Sequence, residues 1–591
     1  MSFFAMPTGV LTLAATALLS LAGLGSGASL DEWRSRSIYQ VMTDRFAPSV
    51  DIPFYLGSCH TELGVYCGGT WRGIKDNLDY IQGMNFDAIW ISPIVAQLPQ
   101  VTADGSSYAG YWQQDLFTLN SKYGTIDDLH ELMDEVHKRG MLFMMDVIVN
   151  HMAYSGAVPD IEYSVLNPFN DKDYYHPYCE MDYSADNMTA LQQCWLGSYY
   201  IPLVDLATDH DEVRDMFSDW ISQMATNHSF DGLRIDAGAN VDPDFFPGFM
   251  EAADMFATAE VYLSNETLAC EWQETIPSLI NYPLYWPLTA AFESKDGSMS
   301  DLVDMMSSQK KNHDVPRFAN HTQDITRAMN VNAFVLMNDG IPIVYQGQEQ
   351  HFTGGTEPFT NREVMWEYGF DFFAPLYQEI ATLNTLRQHL FKLSGVNYGQ
   401  KQTDVVHQDD HTMVMQKGEK GKQILTVLTN SGWDGDDESI SFTTGYSSGD
   451  SLTDVLTCTT VSVGTGGTVK VTLSGGIPMV LFSTDDLADS TLCGTKGEKW
   501  GANTNITSTQ TTRTTITTTM AGGSTSTSIA AATLPLVTQA QAYDAPSMSA
   551  SASPSGLAGA LPVNTMMAGS FAALAVVLTS GAVGAALGFG V

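Results

Sequence analysis

Basic residues are scarce: 27 lysines and arginines stand against 67 aspartates and glutamates in 591 residues, a formal charge of −40. Such a surface repels polyphosphates and anionic bilayers, which excludes nucleic acid as a partner and leaves a neutral polymer unopposed. Charged residues of both signs reach only 16%, as in a secreted protein with polar, uncharged loops. Cysteine is also limited. Seven residues allow at most three internal bridges; Cys59 with Cys67, Cys179 with Cys194 and Cys458 with Cys493 would each close a loop, leaving Cys270 alone.

Basic residues are missing from both ends as well. None precedes the apolar stretch Val10–Leu24, although the small residues Ser26 and Ala28 fit a cleavage site. Residues 1–28 therefore read as a signal peptide, with an uncleaved membrane anchor as the alternative. None follows the terminal apolar segment Met566–Val591, which small residues from Ser553 to Ala560 precede. Residues 557–591 have the layout of a removable glycolipid (GPI) anchor signal, a spanning helix being the alternative. The expected location is the outer face of the plasma membrane and the cell wall, reached by the secretory route, with partial release outside the cell. Acceptors for N-glycosylation at Asn187, Asn227, Asn265, Asn320 and Asn505 are compatible with that route. Residues 494–556, dominated by Thr and Ser over Thr504–Ser528, are nearly devoid of core formers and read as an extended O-glycosylated stalk.

Between these ends the chain is long enough for more than one core. Ser37–Met42, Phe86–Ser92, Met141–Val149, Met255–Glu260 and Ile341–Tyr345 are short apolar runs. Helical stretches alternate with them: Gly73–Met84, Ile126–Arg139 with a stripe of Leu129, Leu132, Met133 and Val136, and Asp211–Thr226. Alternation of this kind predicts a parallel sheet covered by helices. From Asn150 to Asp205 the pattern dissolves, too long a gap for an ordinary connection, and 151–205 reads as an inserted domain. Beyond the helical Leu376–Leu393, short Val/Ile/Thr-rich strands predict an antiparallel β domain over 396–493.

Phe230–Asp236 reads F-D-G-L-R-I-D, a short strand ending on a carboxylate. Period-2 geometry puts Arg234 and Asp236 on one face, where the guanidinium would depress the acid's pKa; a structural Arg–Asp pair is the alternative. Three further segments fall at strand ends: Asp146–His151 (D-V-I-V-N-H), Glu260, and Asn312-His313-Asp314.

These four segments in this order, with Gly110–Asp115 (G-Y-W-Q-Q-D), Gly347–His351 (G-Q-E-Q-H) and the cysteine positions, closely resemble the α-amylase family of retaining glycoside hydrolases, in particular its secreted fungal members. The resemblance runs from Asp31 to about Cys493. It implies a (β/α)8 TIM barrel over 29–395, the insertion after strand 3 as a calcium-associated domain, and a C-terminal antiparallel β-sandwich. It implies Asp236 as nucleophile, Glu260 as acid/base and Asp314 as a third carboxylate, with sugar contacts from Tyr111, Trp112, His151, Arg234, His313 and Arg362. It further implies a Ca2+ ion on Asn150, Asp205, the carbonyl of Asn240 and the position of Gln192, weakened because Gln192 stands where a carboxylate is usual.

The activity implied by the resemblance is that of a monomeric, α-1,4-glucan-cleaving enzyme. A 4-α-glucanotransferase acting on cell-wall α-glucan or maltooligosaccharides is the alternative, because Ala109 and Ala239-Asn240 replace polar acceptor-side residues of the family. A non-catalytic glucan-binding protein is the third reading, and a missing carboxylate would be its sign. One departure concerns the barrel itself. The family's partner for Cys270 and the apolar run of a seventh strand are both absent before Asn312. Either a short segment was lost from the coding sequence or Ser307–Lys311 serves as a poor, polar strand.

Overall fold

The computed structural model describes residues 27–49, 59–181, 187–263, 269, 272–306, 316–356 and 360–494, together with paired strands at 515–519 and 525–529. The chain divides into two compact units, Met1–Lys496 and Gly497–Val591.

Leu142–Ile148, buried at every position, forms the centre of a seven-stranded sheet. The order is Leu279–Ile280, Phe256–Glu260, Gly232–Asp236, Leu142–Ile148, Ala88–Ile91, Ile38–Val41 and Ile343–Tyr345, and every neighbouring pair is parallel. Each strand lies beside its predecessor except the last, which returns beside the first. That is the winding of a sheet that curls on itself. Among the described residues it is only partly closed: no strand pairs with the outer edge of Leu279–Ile280 or of Ile343–Tyr345. A cavity of about 690 Å³ lies between these edges, with Ile38, Met144, Phe256, Ile280, Phe334 and Ile343 in its lining. The expected closed barrel of eight strands is thus observed as a half-barrel. Cys270 and Ser307–Lys311 lie outside the described residues.

Helices cover the sheet where their apolar stripes predict. Ile126–Lys138 begins at a capping box between Thr125 and Asp128 and buries Leu129, Leu132, Met133 and Val136. The stretch expected as one helix over Gly73–Met84 is two, Trp71–Asp76 and Leu78–Gly83. They meet at Asn77, whose side-chain amide donates to the Gly73 carbonyl (2.8 Å) and ends the first. Gly232 allows the sheet to meet Trp33, since a Cβ there would lie 2.8 Å from the indole.

The insertion is more ordered than its sequence suggests. His151–Ala153, Leu196–Gly197 and Pro202–Asp205 form a three-stranded antiparallel sheet, accompanied by short 3-10 turns and the helix Met188–Gln193. The three disulfides expected from the spacing are formed, which is the chemistry of an oxidising compartment. After the helix Pro375–Ser394, a six-stranded antiparallel sheet and the ribbon Glu438–Thr443/Thr468–Leu473 share one core, including Val414, Val427, Phe442 and Val469. Asn330 joins this β region to the helical layer by donating to the Gly476 carbonyl and accepting from Thr429 N–H, each at 2.8 Å. Within the Thr/Ser-rich stretch, Thr515–Thr519 pairs antiparallel with Thr525–Ile529; β-branched Thr favours the extended backbone that such pairing needs. Among the described residues no helix is long and apolar enough to cross a membrane, and Met566–Val591 lies outside them.

Candidate active site

Asp146 sits inside a wholly buried strand, so its charge must be met there. Four donor contacts meet it. Arg234 Nη1 reaches Oδ1 at 2.9 Å and Oδ2 at 3.2 Å, Trp90 Nε1 reaches Oδ2 at 3.0 Å, and the Tyr111 hydroxyl reaches Oδ2 at 2.9 Å. Arg234, fully buried on the next strand, also donates to Asp236 Oδ1 (2.7 Å) and, through Nη2, to Glu260 Oε2 (2.5 Å). The alternation of Arg234 and Asp236 predicted from the sequence is therefore real, and Glu260 joins them from the neighbouring strand end. Tyr282 donates its hydroxyl to Glu260 Oε1 (2.9 Å). Ala237 follows Asp236 in the left-handed region (φ 49°), which aims its N–H at Glu260 Oε2 (3.1 Å). An alanine there stores backbone strain beside reactive groups.

One guanidinium thus serves three carboxylates. Burial raises Asp146 to about 6 against the pull of Arg234. Burial first, then the charges of Glu260 and Asp146, raise Asp236 as well. This corrects the expectation that Arg234 depresses Asp236: its charge is divided, and desolvation wins. The cluster consequently retains a proton at pH values where free carboxylates have lost theirs.

His151 is buried beside Tyr111. Its Nε2–H donates to the Tyr111 carbonyl (3.1 Å) and its Nδ1 accepts from Asn150 Nδ2 (3.4 Å). Burial lowers its pKa to about 4, so the ring is neutral. It braces the segment that carries Tyr111. Trp112 is half-buried and is held through its main chain to Gln97 Oε1 (2.7 Å). Arg362 donates to the Tyr108 hydroxyl (3.1 Å); Tyr108 packs in one cluster with Tyr111. His313 and Asp314 lie outside the described residues. Sequence reasoning assigned no role to Asp146, Trp90 or Tyr282. A carboxylate within the apolar run M-L-F-M-M-D-V-I-V was the available signal for the first.

The candidate cation ligands fall in two pairs at the border of the insertion, Asn150 with Asp205 and Asn240 with the helix of Gln192. Asp205 is buried; one oxygen accepts from His176 Nδ1 (2.7 Å) and Oδ1 has no hydrogen-bond partner. Burial raises its pKa to about 7, opposed by His176. Asn150 is buried beside it, and its carbonyl accepts from Leu206 N–H. Asn240 Nδ2 holds the Leu191 carbonyl (2.9 Å), docking the helix of Gln192 against the turn Gly238–Asn240. Among the described residues no three His, Cys, Asp or Glu side chains cluster as a metal site. The buried Asp205 carboxylate, with Oδ1 outside any hydrogen bond and the Asn150 side chain beside it, has the oxygen chemistry that a hard cation takes.

Comparison with known proteins agrees with the geometry. The family model for the α-amylase catalytic domain matches residues 40–450, and that for α-amylase domain C matches 405–500. Alpha-amylase 2 of Schwanniomyces occidentalis is 40% identical over 489 residues, covering 80% of this chain and 95% of its own. The α-amylase of Saccharomycopsis fibuligera is 39% identical over 463 residues, covering 76% and 92%. The solved structure of an α-amylase from Malbranchea cinnamomea superimposes with a TM-score of 0.74 at 44% identity, covering 79% of this chain and all of its own.

Proposed function

The chain belongs to the α-amylase family of glycoside hydrolases, and from that premise we propose that it is a retaining, endo-acting α-1,4-glucan hydrolase. The observation that carries this reading is the single buried guanidinium of Arg234 joined to Asp146, Asp236 and Glu260. Glu260 gives its proton to the glycosidic oxygen as the bond from that oxygen to the anomeric carbon breaks. An Asp236 oxygen forms the new bond to that carbon, producing a glycosyl ester. Glu260, now ionised, takes a proton from water, whose oxygen attacks the same carbon and releases Asp236. Two inversions leave the product with the substrate's configuration. Asp314 is the third carboxylate of this reading, with His313 and Arg362 near it.

Asn150, Asp205, the Asn240 carbonyl and Gln192 would hold calcium, which when bound supplies a structural link between barrel and insertion. For location the proposal is entry to the secretory route by an N-terminal signal, which three disulfides support, followed by a Thr/Ser-rich stalk and a GPI anchor. Glucanosyl transfer is the second reading, favoured by Ala109 and by Asn240, whose amide is engaged with Leu191. Incubation with maltoheptaose decides between them. Shorter products alone signify hydrolysis, longer ones signify transfer, and unchanged substrate refutes both.

A further inference from the structure

Three tyrosines stand exposed together on the insertion: Tyr178 at 41%, Tyr199 at 44% and Tyr200 at 68%. Their rings form a chain. Tyr178 and Tyr199 are 6.3 Å apart at 76°, and Tyr199 and Tyr200 are 5.2 Å apart at 86°. Contiguous exposed aromatics of this kind mark an interaction surface.

The platform is held rigid from beneath. Leu196–Gly197 pairs with Pro202–Leu203, and Ser198 N–H closes the turn onto the Ile201 carbonyl (3.1 Å). Gly197 has φ 79°, and a Cβ there would lie 2.5 Å from that carbonyl, so the turn admits only glycine without strain. The Tyr199 and Tyr200 carbonyls accept from Val158 and Gly156 N–H (3.2 and 3.0 Å). The Cys179–Cys194 disulfide links the residue after Tyr178 to the residue before Trp195, on whose buried indole Tyr178 packs edge-on (5.3 Å). Little ordering is left to be done on binding.

We infer that Tyr178, Tyr199 and Tyr200 form a stacking platform for an α-glucan chain, distinct from the carboxylate cluster. This rests on the reading of the enzyme as α-1,4-glucan-acting. Two observations choose the occupant. Ring planes near right angles cannot lie flat on an extended β-1,4 ribbon, whereas an α-1,4 chain turns its sugar faces as it coils. The platform is also tied to the chain segment that serves the catalytic site: the Ser198 hydroxyl donates to Asp104 (3.2 Å), in the loop that continues to Tyr111, whose hydroxyl donates to Asp146. Stacking recognises a neutral polymer without cations, which this chain mostly lacks.

The test is electrophoretic retardation of the full chain in gels containing glycogen or hydroxyethyl cellulose, alongside turnover of maltopentaose. The parent is expected to be retarded by glycogen alone. In Tyr199→Ala/Tyr200→Ala the glycogen dissociation constant rises about tenfold, Tyr199→Phe/Tyr200→Phe restores it, and maltopentaose turnover stays at the parental rate. Unchanged retardation of the alanine variant overturns the platform, as does a parent that cleaves maltopentaose without being retarded by glycogen. Equal retardation by hydroxyethyl cellulose overturns the assignment of an α-glucan. A parent that neither cleaves maltopentaose nor binds glycogen removes the functional reading, and the platform falls with it.

Discussion

Replacing Asp146 with Asn tests whether the buried charge cluster organises the site. The amide has one acceptor oxygen where the carboxylate has two. Turned to keep Trp90 Nε1 and the Tyr111 hydroxyl, now on Oδ2, it points its NH2 at Arg234 Nη1, which Oδ1 accepts from at 2.9 Å. One charge-assisted hydrogen bond is lost, about 1.5–3 kcal/mol. The cost depends on pH with a definite sign. Asp146 takes a proton with a pKa of about 6 in the folded protein, raised from 3.8, so the native state favours its protonated form. A protonated carboxyl also carries one donor and is mimicked by the amide. The parent therefore loses stability as pH rises from about 4 to above 6, where ionising the buried carboxyl costs it free energy that the amide does not lose. The variant's penalty should be largest near pH 5 and smaller by about 1 kcal/mol at pH 8. Arg234, released on one side, should shift relative to Asp236 and Glu260, and kcat should fall about 100-fold. Urea unfolding at the two pH values and turnover of maltoheptaose measure both effects. A penalty that grows from pH 5 to pH 8 would refute the burial-raised pKa of Asp146, and an unchanged kcat would refute the claim that Asp146 positions Arg234.

Burial lowers His151 to about 4 from 6.5, so its contribution to stability is present above pH 6.5 and lost as pH falls toward 4. The full change is about 3 kcal/mol, and a His151→Asn variant with the same acid sensitivity as the parent between pH 7 and 4.5 would contradict it. Calcium at a hundredfold excess over its dissociation constant should stabilise the protein by about 2.7 kcal/mol; EDTA should reverse this, and Asp205→Asn should abolish it. A parent whose melting temperature ignores calcium would remove the ion from the site. Tyr282→Phe deletes a hydrogen bond to Glu260 and should lower kcat/KM about tenfold with the fold intact; full activity would show that this hydroxyl does not position Glu260.

Local pattern made much of the sheet legible. Phe86–Ser92, Met141–Val149 and Met255–Glu260 were readable as apolar runs and appear, trimmed at their ends, as Ala88–Ile91, Leu142–Ile148 and Phe256–Glu260. Period-2 spacing put Arg234 beside Asp236 correctly. The electrostatics were not legible, because they arise between residues far apart in sequence. Asp146 meets Trp90 and Arg234 across separations of 56 and 88 residues. Without those partners, the pull of Arg234 on Asp236 looked undivided. The hairpin Val95–Gln97/Gln113–Leu119 escaped notice because it is mixed in polarity and irregular in register. The two-residue strand Leu279–Ile280 is too short to show a period. The small sheet of the insertion depends on a glycine turn and a disulfide rather than on apolar periodicity.

The central claim is that Asp236 attacks and Glu260 protonates, and the first product's anomeric configuration tests it most directly. Proton NMR of maltoheptaose, recorded immediately after enzyme is added and before mutarotation, should show the α-anomer of the new reducing end accumulating first, with Asp236→Asn silent on the same timescale. A β-anomer appearing first, or undiminished cleavage by Asp236→Asn, would contradict a covalent intermediate on this residue.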